Sequence, residues 1–147
     1  MPEAVRKGID ACRRGNWQVG LPALAQAAEK DPRGRALPGL VFSYLGYGIA
    51  LREHRVQDGL KLCQHAVKLE FYQAENYLNL ARTLLLSGNR RAAVRALEDG
   101  LQIEPDNREL LDLQGEMGTR RAPVLPFLSR SNPVNLLLGR LRHLLTG

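Results

Sequence analysis

Small and large apolar residues recur along the chain in a fixed pattern. A small residue is followed four positions later by a large one, and three positions after that by a second small one. Because side chains three and four residues apart lie on the same side of an α-helix, each copy of this pattern predicts a helix. The three copies are Gly20, Leu24 and Ala27; Gly59, Cys63 and Ala66; and Ala93, Leu97 and Gly100.

The outer two copies are framed by residues that end helices. Gly15 and Gly88 each stand five positions before the pattern, and Pro32 and Pro105 each stand five positions after it. Glycine reaches the positive φ that closes a first helix, and proline stops a second helix because it cannot continue the hydrogen-bond ladder. The small positions let two helices approach closely. The unit is therefore predicted to be a helical hairpin, and stacking of hairpins closes their open apolar sides.

The spacing of the copies locates an insertion. One constant interval separates every residue of the first copy from its counterpart in the last, but the middle copy does not divide that interval equally. The step from Gly20 to Gly59 is five positions longer than the step from Gly59 to Ala93. The extra residues fall at 31–39, where two prolines and two glycines favour a loop.

The composition agrees with helices. Aromatic residues are only 5% of the chain, and Leu, Ala and Val supply most of the apolar positions. Leu and Ala favour helix, and the enrichment in β-branched and aromatic residues that strands require is missing. The chain is therefore predicted to be helical throughout its repeats.

Further residues around each copy identify the kind of repeat. In the third unit they are Ala74–Ala81, Ser87–Asn89, Ala92, Ala93, Leu97, Gly100 and Ile103–Asn107. In the first unit they are Gly8, Gly15, Trp17, Gly20, Leu24, Ala27, Asp31 and Pro32. Tyr44 and Gly48 fit the same pattern in the middle unit, whereas His54 stands in place of the turn glycine. With these residues the third unit resembles a full tetratricopeptide repeat, and the other two are similar to it in part.

The resemblance implies an all-α fold, a right-handed superhelix of stacked helical hairpins. Residues 2–118 would hold three repeats, at about 2–34, 40–73 and 74–107, followed by a capping helix at 107–118. Residues 119–147 are predicted to hold an extended segment, because of their prolines, and then an amphipathic basic helix that begins at Asn132 and Pro133.

The resemblance also implies a groove for a peptide or protein segment, lined by the first helix of each hairpin. The predicted groove residues are Arg6, Ile9, Arg13, Leu45, Ile49, Arg52, Leu78, Asn79, Arg82 and Leu86. Arginine suits carboxylate recognition because its planar fork bonds both oxygens; the alternative for each arginine is a solvated or self-paired surface charge. Val5 and Ile9 stand where the family's best-known carboxylate clamp has Lys and Asn, so a chaperone-tail binder is not predicted.

The charge distribution singles out the C-terminal segment. No acidic residue follows Glu116, and the basic residues beyond it are Arg120, Arg121, Arg130, Arg140 and Arg142. The capping helix adds Glu109, Asp112 and Glu116 to the inward positions, on one helical face, and they form a predicted docking face for the basic segment. Three alternatives stay open: the segment seals the end of the solenoid, it docks into a partner, a second copy or the groove, or it lies on an anionic membrane.

Neither a metal site, nor catalysis, nor nucleic-acid binding is predicted from the remaining residues. Cys63 and His65 are two residues apart on a predicted helix and point to different sides, so no metal site is expected. The chain shows no nucleophile–base pair and no cofactor fingerprint, so neither an enzyme nor a cofactor is expected. Nucleic-acid binding is not expected either, because the basic segment lacks interleaved exposed aromatic residues. Two cysteines suited to a reduced core, and no signal-peptide pattern at the N-terminus, lead us to expect a cytoplasmic protein.

The sequence thus favours a scaffold or adaptor that binds another protein in the groove. The alternative is a self-associating protein, such as a homodimer, or a peripheral membrane protein, acting in either case through the basic C-terminal helix. The two differ in whether binding survives removal of the residues after Gly118.

Overall fold

The computed structural model describes residues 1–120, and the side chains of residues 1–118. This part of the chain forms seven α-helices and no strand, which confirms the predicted all-α class. The helices are α1 (Glu3–Arg13), α2 (Trp17–Glu29), α3 (Gly39–Glu53), α4 (Val56–Leu69), α5 (Ala74–Leu86), α6 (Arg90–Ile103) and α7 (Arg108–Arg120). Residues Met1–Leu111 form one compact unit, and a second begins at Asp112 within α7. Arg121, Arg130, Arg140, Arg142 and the predicted C-terminal helix lie outside the described residues.

Consecutive helices pair as hairpins: α1 with α2, α3 with α4, and α5 with α6. Gly15 and Gly88 occupy the first and third turns with φ of 77° and 82°, the left-handed conformation expected of a turn glycine. The middle turn holds His54 in the same region, with φ of 59°. Within residues 1–120, His54 is the only residue other than glycine with a positive φ.

Replacing His54 by glycine is expected to raise the free energy of unfolding by up to about 1 kcal/mol. The left-handed conformation costs an L-residue about 1–2 kcal/mol, and glycine removes that cost while adding some freedom to the unfolded chain. Urea denaturation of the wild type and of His54→Gly measures the difference. His54→Ala, which keeps the strained backbone, is the control; an equal gain in both variants would place the strain in the histidine side chain instead.

The first two hairpins each bring their two helices together at small residues. A Cβ atom added to Gly20 would lie 3.0 Å from the Gly8 carbonyl oxygen. One added to Gly46 would lie 2.5 Å from the Gly59 carbonyl oxygen. Neither contact leaves room for a side chain, so the backbones of the paired helices approach each other directly.

The middle hairpin is shifted by two residues relative to the sequence prediction. The repeat pattern matched Gly48 to the small position of the first helix, but Gly46 is the residue that contacts Gly59. Gly48 faces the first hairpin, where an added Cβ would meet Leu21 and would lie 3.0 Å from Trp17 Cε3. A shift of two residues turns the assignment of faces by about 200° around the helix axis. The side of α3 predicted to line the groove therefore points toward the first hairpin.

The first and second hairpins pack through an apolar core. Its buried members are Val5, Ile9, Cys12, Leu24, Leu40, Val41, Tyr44, Leu45 and Ile49. Trp17 and Leu21 of α2 pack against this cluster from the edge. Burial of the cluster members supplies the main attraction between these two hairpins, because the contact is made almost entirely of hydrocarbon.

The second and third hairpins pack through a buried polar network. The Ser43 hydroxyl donates to Asn76 Oδ1 at 2.8 Å and accepts from Asn79 Nδ2 at 3.1 Å. Asn76 Nδ2 donates in turn to the carbonyl oxygens of Ala66 and Glu70, at 3.3 and 3.2 Å. Because the side chains of this network are fully buried, each bond has to be made inside the protein, and the network fixes how α5 sits against α3 and the end of α4.

Both cysteines are buried thiols. Burial raises the pKa of the Cys12 thiol to about 11 and that of the Cys63 thiol to about 12. The Cys63 sulfur lies 3.4 Å from Thr83 Oγ1. At neutral pH both groups are therefore protonated, and their place is in the packing of the core.

The inserted residues between α2 and α3 form an ordered loop. The Ala36 N–H donates to Asp31 Oδ2 at 3.0 Å, and His65 Nε2 donates to the Gly34 carbonyl oxygen at 2.9 Å. The imidazole of His65 also packs edge-on against Phe42, with ring centroids 4.9 Å apart. An open depression of about 420 Å³ lies on this loop, lined by Asp31, Pro32, Arg33, Arg35 and Ala36. The depression thus belongs to the insertion and not to the first helices of the hairpins.

Candidate peptide-binding face

The first helices of the three hairpins lie side by side, with α3 between α1 and α5. Arg13 of α1 donates through Nε to Glu75 Oε2 at 2.8 Å and through Nη2 to Glu75 Oε1 at 2.7 Å. The Tyr44 hydroxyl of α3 donates to the same carboxylate. The Glu75 carboxylate of α5 therefore accepts hydrogen bonds from both of the other first helices, α1 and α3.

Arg13 of α1 and Glu75 of α5 meet although α3 lies between their helices. Helices in contact are about 8–10 Å apart, so two helices separated by a third would be about 16–20 Å apart in a flat row. Arg13 and Glu75 nevertheless meet over α3. The long side chains of Arg13 and Glu75 therefore reach across α3 on this side of the row. We call this side, marked by Arg13, Tyr44, Tyr47, Glu75 and Arg82, the inner face.

Arg82 of α5 is the centre of a second cluster on the inner face. Its guanidinium lies over the Tyr47 ring, 5.4 Å from the centroid, and donates to Asn79 Oδ1 at 3.3 Å. It also donates to Glu109 Oε2 at 3.1 Å, in the first turn of α7. Glu109 follows Glu75 by the same step that separates Ala93 from Gly59, so the two carboxylates hold the same repeat position. Each of them accepts from an arginine of a preceding first helix.

The surroundings of Glu75 favour its charged form. Burial by itself would raise the pKa of this carboxyl, but the hydrogen bonds from Arg13 and Tyr44, together with the charges of Arg13 and Arg82, lower it below its usual value. The hydrogen bond to Glu75 in turn raises the pKa of Arg13. Burial, followed by the hydrogen bond to Glu75, raises the pKa of Tyr44. At neutral pH the cluster is a carboxylate held by a guanidinium and a protonated hydroxyl.

Five of the predicted groove residues are buried and do not form an open surface. Ile9, Leu45, Ile49, Leu78 and Asn79 are at most 8% exposed. Leu45 and Ile49 face the first hairpin because of the two-residue shift of α3, and Ile9 joins the same core. The amide of Asn79 is used inside the protein, where it donates to Ser43. The assignment of these five side chains to the groove lining is corrected accordingly.

The other predicted groove residues reach solvent. Three arginines pair with carboxylates of the protein itself: Arg6 with Glu3 and Asp10, Arg13 with Glu75, and Arg82 with Glu109. Self-pairing, one of the alternatives for each arginine, therefore holds for these three. Arg52 is exposed near the end of α3. Leu86 lies one helical turn beyond Arg82, on the same side of α5, and is 42% exposed.

The predicted docking face for the C-terminal segment lies on α7. Glu109, Asp112 and Glu116 are all exposed, and Glu109 is paired with Arg82. Arg120 is the last residue of α7, and the other basic residues of the segment lie outside the described part of the chain. Docking of the segment on these carboxylates stays a prediction.

Sequence reasoning missed three residues of the inner face. Tyr44 and Tyr47 were hidden by the two-residue shift of α3, which the pattern of the middle repeat did not reveal. Glu75 had a signal, because it stands one repeat before Glu109, which the sequence places among the inward positions. Applying the repeat period backwards from Glu109 would have identified it.

Metal sites and membrane-spanning helices are the subject of two further observations on residues 1–120. No group of three or more His, Cys, Asp or Glu residues in this part of the chain is placed to hold a metal ion. The Cys63 sulfur contacts Thr83, whereas the His65 imidazole contacts the insertion loop. None of the helices described is long and apolar enough to cross a membrane.

The fold has a counterpart among solved structures, although sequence comparison finds none. No protein-family model matches the sequence, and no curated protein matches it. The chain is similar to the NMR structure of the first tetratricopeptide-repeat (TPR) domain of the human RPAP3 protein, with a TM-score of 0.63 at 16% sequence identity. The similarity covers 79% of this chain and 87% of that chain. The predicted fold is confirmed: this protein is a helical-repeat protein with the tetratricopeptide-repeat fold.

Proposed function

We propose that this protein is a scaffold or adaptor that binds a segment of another protein along the inner face and carries out no chemistry of its own. The observation that carries the proposal is the convergence of Arg13, Tyr44 and Glu75, from three different helices, on one side of the fold. A surface assembled from several repeats suits an extended ligand, because each repeat can contact a different part of it.

The inner face offers both polar and apolar contacts. Arg6 is exposed and charged and lies two turns before Arg13 on the same side of α1, and Tyr47 is half-buried beneath Arg82. Leu86 adds an exposed aliphatic side chain next to Arg82. Three helices at a spacing of about 8–10 Å span about 20 Å, which corresponds to about six residues of extended chain. The expected ligand is thus a short segment with at least one apolar side chain and charged groups.

Photo-crosslinking from Leu86 tests the proposal. A benzoylphenylalanine at position 86 of the full chain, expressed in the source cells, is expected to capture a protein partner, because this side chain lies on the inner face. The matched control is Val19 of α2, which is also an exposed aliphatic residue, 57% exposed against 42% for Leu86. Mass spectrometry identifies the adducts and the crosslinked segment.

The two positions give opposite results if the inner face binds the partner. Capture from position 86 and not from position 19 supports the proposal. Equal capture from both positions, or capture from position 19 alone, contradicts it, because α2 does not contribute to the inner face.

A further inference from the structure

We propose that Arg13 and Tyr44 form a carboxylate-binding site that the protein's own Glu75 occupies, and that a segment bound to the inner face brings a carboxylate that takes the place of Glu75. The inference rests on the proposed function, and it names the chemistry of the ligand: an acidic side chain or a chain terminus. Glu75 would then act as a resident competitor that the ligand has to displace.

The donors are arranged as a carboxylate site requires. Arg13 bonds both oxygens of Glu75, at 2.8 and 2.7 Å, so its planar guanidinium is used in the bidentate manner. The Tyr44 hydroxyl adds a third hydrogen bond to Oε2. A carboxylate from another molecule, presented at the place of the Glu75 carboxylate, would meet the same three donors.

The donors are held independently of Glu75. Tyr44 is only 1% exposed and belongs to the core between the first two hairpins, so its hydroxyl position is set by packing. Arg13 is also paired with Asp10, one turn earlier on α1, at 3.2 Å. Removing the Glu75 carboxylate would therefore leave both donors in place and the buried Tyr44 hydroxyl without its acceptor, which favours binding of another carboxylate.

The site can be reached from solvent. The side chain of Arg13 is 42% exposed and that of Glu75 is 18% exposed. Glu75 stands in the first turn of α5, so it is attached at the end of that helix. An incoming carboxylate can approach the exposed part of Arg13 while Glu75 leaves.

Self-occupation also sets which ligands can bind. Exchange of one carboxylate for another keeps the charge-assisted bonds, so the exchange itself changes the free energy little. Glu75 is tethered and therefore has a high effective concentration, so a small free carboxylate cannot displace it. A longer segment can, because its contacts elsewhere on the inner face add to its affinity. The site is thus expected to reject free acids and to accept acidic protein segments.

Acetate binding to a variant without the Glu75 carboxylate tests the site. Full-length Glu75→Ala is unfolded thermally in about 200 mM sodium acetate and in sodium chloride of equal ionic strength. Acetate is expected to raise the Tm of Glu75→Ala by roughly 1–3 °C over chloride, because it fills the vacated site of the folded state only. The wild type gives the non-specific difference between the two salts, and the shift in Glu75→Ala is expected to exceed it.

Two variants control for non-specific effects of acetate. Glu109→Ala also frees an arginine on the inner face, but Glu109 is 62% exposed, accepts through one oxygen and has no tyrosine donor. Acetate should therefore shift the Tm of Glu109→Ala no more than that of the wild type. Glu75→Ala combined with Arg13→Ala should lose the acetate effect. If Glu75→Ala does not fold, Glu75→Gln keeps the shape of the side chain, and acetate should then shift the Arg13 Nε–H resonance in its NMR spectrum.

The outcomes separate this inference from the proposed function. No acetate effect in Glu75→Ala or Glu75→Gln, or an equal effect in the variant that also lacks Arg13, overturns the carboxylate site. If crosslinking from position 86 still captures a partner in that case, the inner face binds its ligand by other contacts. If acetate stabilises Glu75→Ala but position 86 captures nothing, the site exists and the proposed function fails.

Discussion

Gly46→Ala is expected to lower the free energy of unfolding by about 2–3 kcal/mol, although alanine is the better helix former. The new Cβ would lie 2.5 Å from the Gly59 carbonyl oxygen and 2.9 Å from Cys63 Sγ. Because the first of these neighbours is backbone, α3 and α4 have to move apart, and the cost of overpacking exceeds the gain of about 1 kcal/mol from replacing a helical glycine. Urea denaturation measures the loss.

Gly118→Ala is the matched control for this prediction. Gly118 also lies within a helix, but an added Cβ meets nothing within 4 Å. Its replacement is expected to be neutral or to raise the free energy of unfolding by up to about 1 kcal/mol. If Gly46→Ala behaved like Gly118→Ala, α3 and α4 would have to lie farther apart than the structure shows.

Asn76→Ala is expected to lower the free energy of unfolding by about 3 kcal/mol. The side chain is fully buried and joins α5 to Ser43 and to the carbonyl oxygens of Ala66 and Glu70. Its loss leaves the Ser43 hydroxyl without its acceptor and opens a cavity, two effects that each cost about 1–3 kcal/mol but overlap in part. Asn89→Ala, which removes only the helix cap to the Ala92 N–H, should cost about 1 kcal/mol.

Hydrogen exchange can also show which helices of Asn76→Ala are destabilised. Hairpins in a repeat protein are stabilised by their nearest neighbours, so a weakened contact between the second and third hairpins should act first on the third. Hydrogen exchange in Asn76→Ala is expected to accelerate in α5 and α6 before it accelerates in α1 and α2. Equal acceleration in all three hairpins would mean that the polar network stabilises the whole stack and not one junction.

The contact between the first and second hairpins could be predicted from the sequence, whereas the contact between the second and third could not. The apolar junction follows from residues such as Leu24, whose position in the repeat predicts burial. Asn79 was expected in the groove because the resemblance places its repeat position there, yet it is fully buried and bonded to Ser43. A polar side chain can be buried when it has a hydrogen-bond partner inside the protein. The partner of Asn79 is Ser43, which lies 36 residues away in another hairpin.

The prediction for the middle repeat, which placed the small position of α3 at Gly48, was wrong for a related reason. The small residues of its paired helices, Gly46 and Gly59, are one position farther apart along the chain than Gly8 and Gly20 of the first hairpin. The turn closes differently too. In the middle hairpin the Arg55 N–H bonds to a carbonyl oxygen six positions back, whereas the matching bond of the first turn reaches five positions back. The sequence contains both Gly46 and Gly48, and only packing against α4 selects one of them.

The sequence by itself determined the helical hairpins, their period, the turn glycines and the fold class, because these depend on local spacing and on backbone properties of Gly and Pro. The tertiary structure alone decided which side of α3 faces inward and which charges are paired. Arg13 and Glu75 are 62 residues apart, and nothing local to either residue specifies the other. Their contact exists because three helices are packed at a fixed angle and spacing, which is a property of the assembled stack and not of any one repeat.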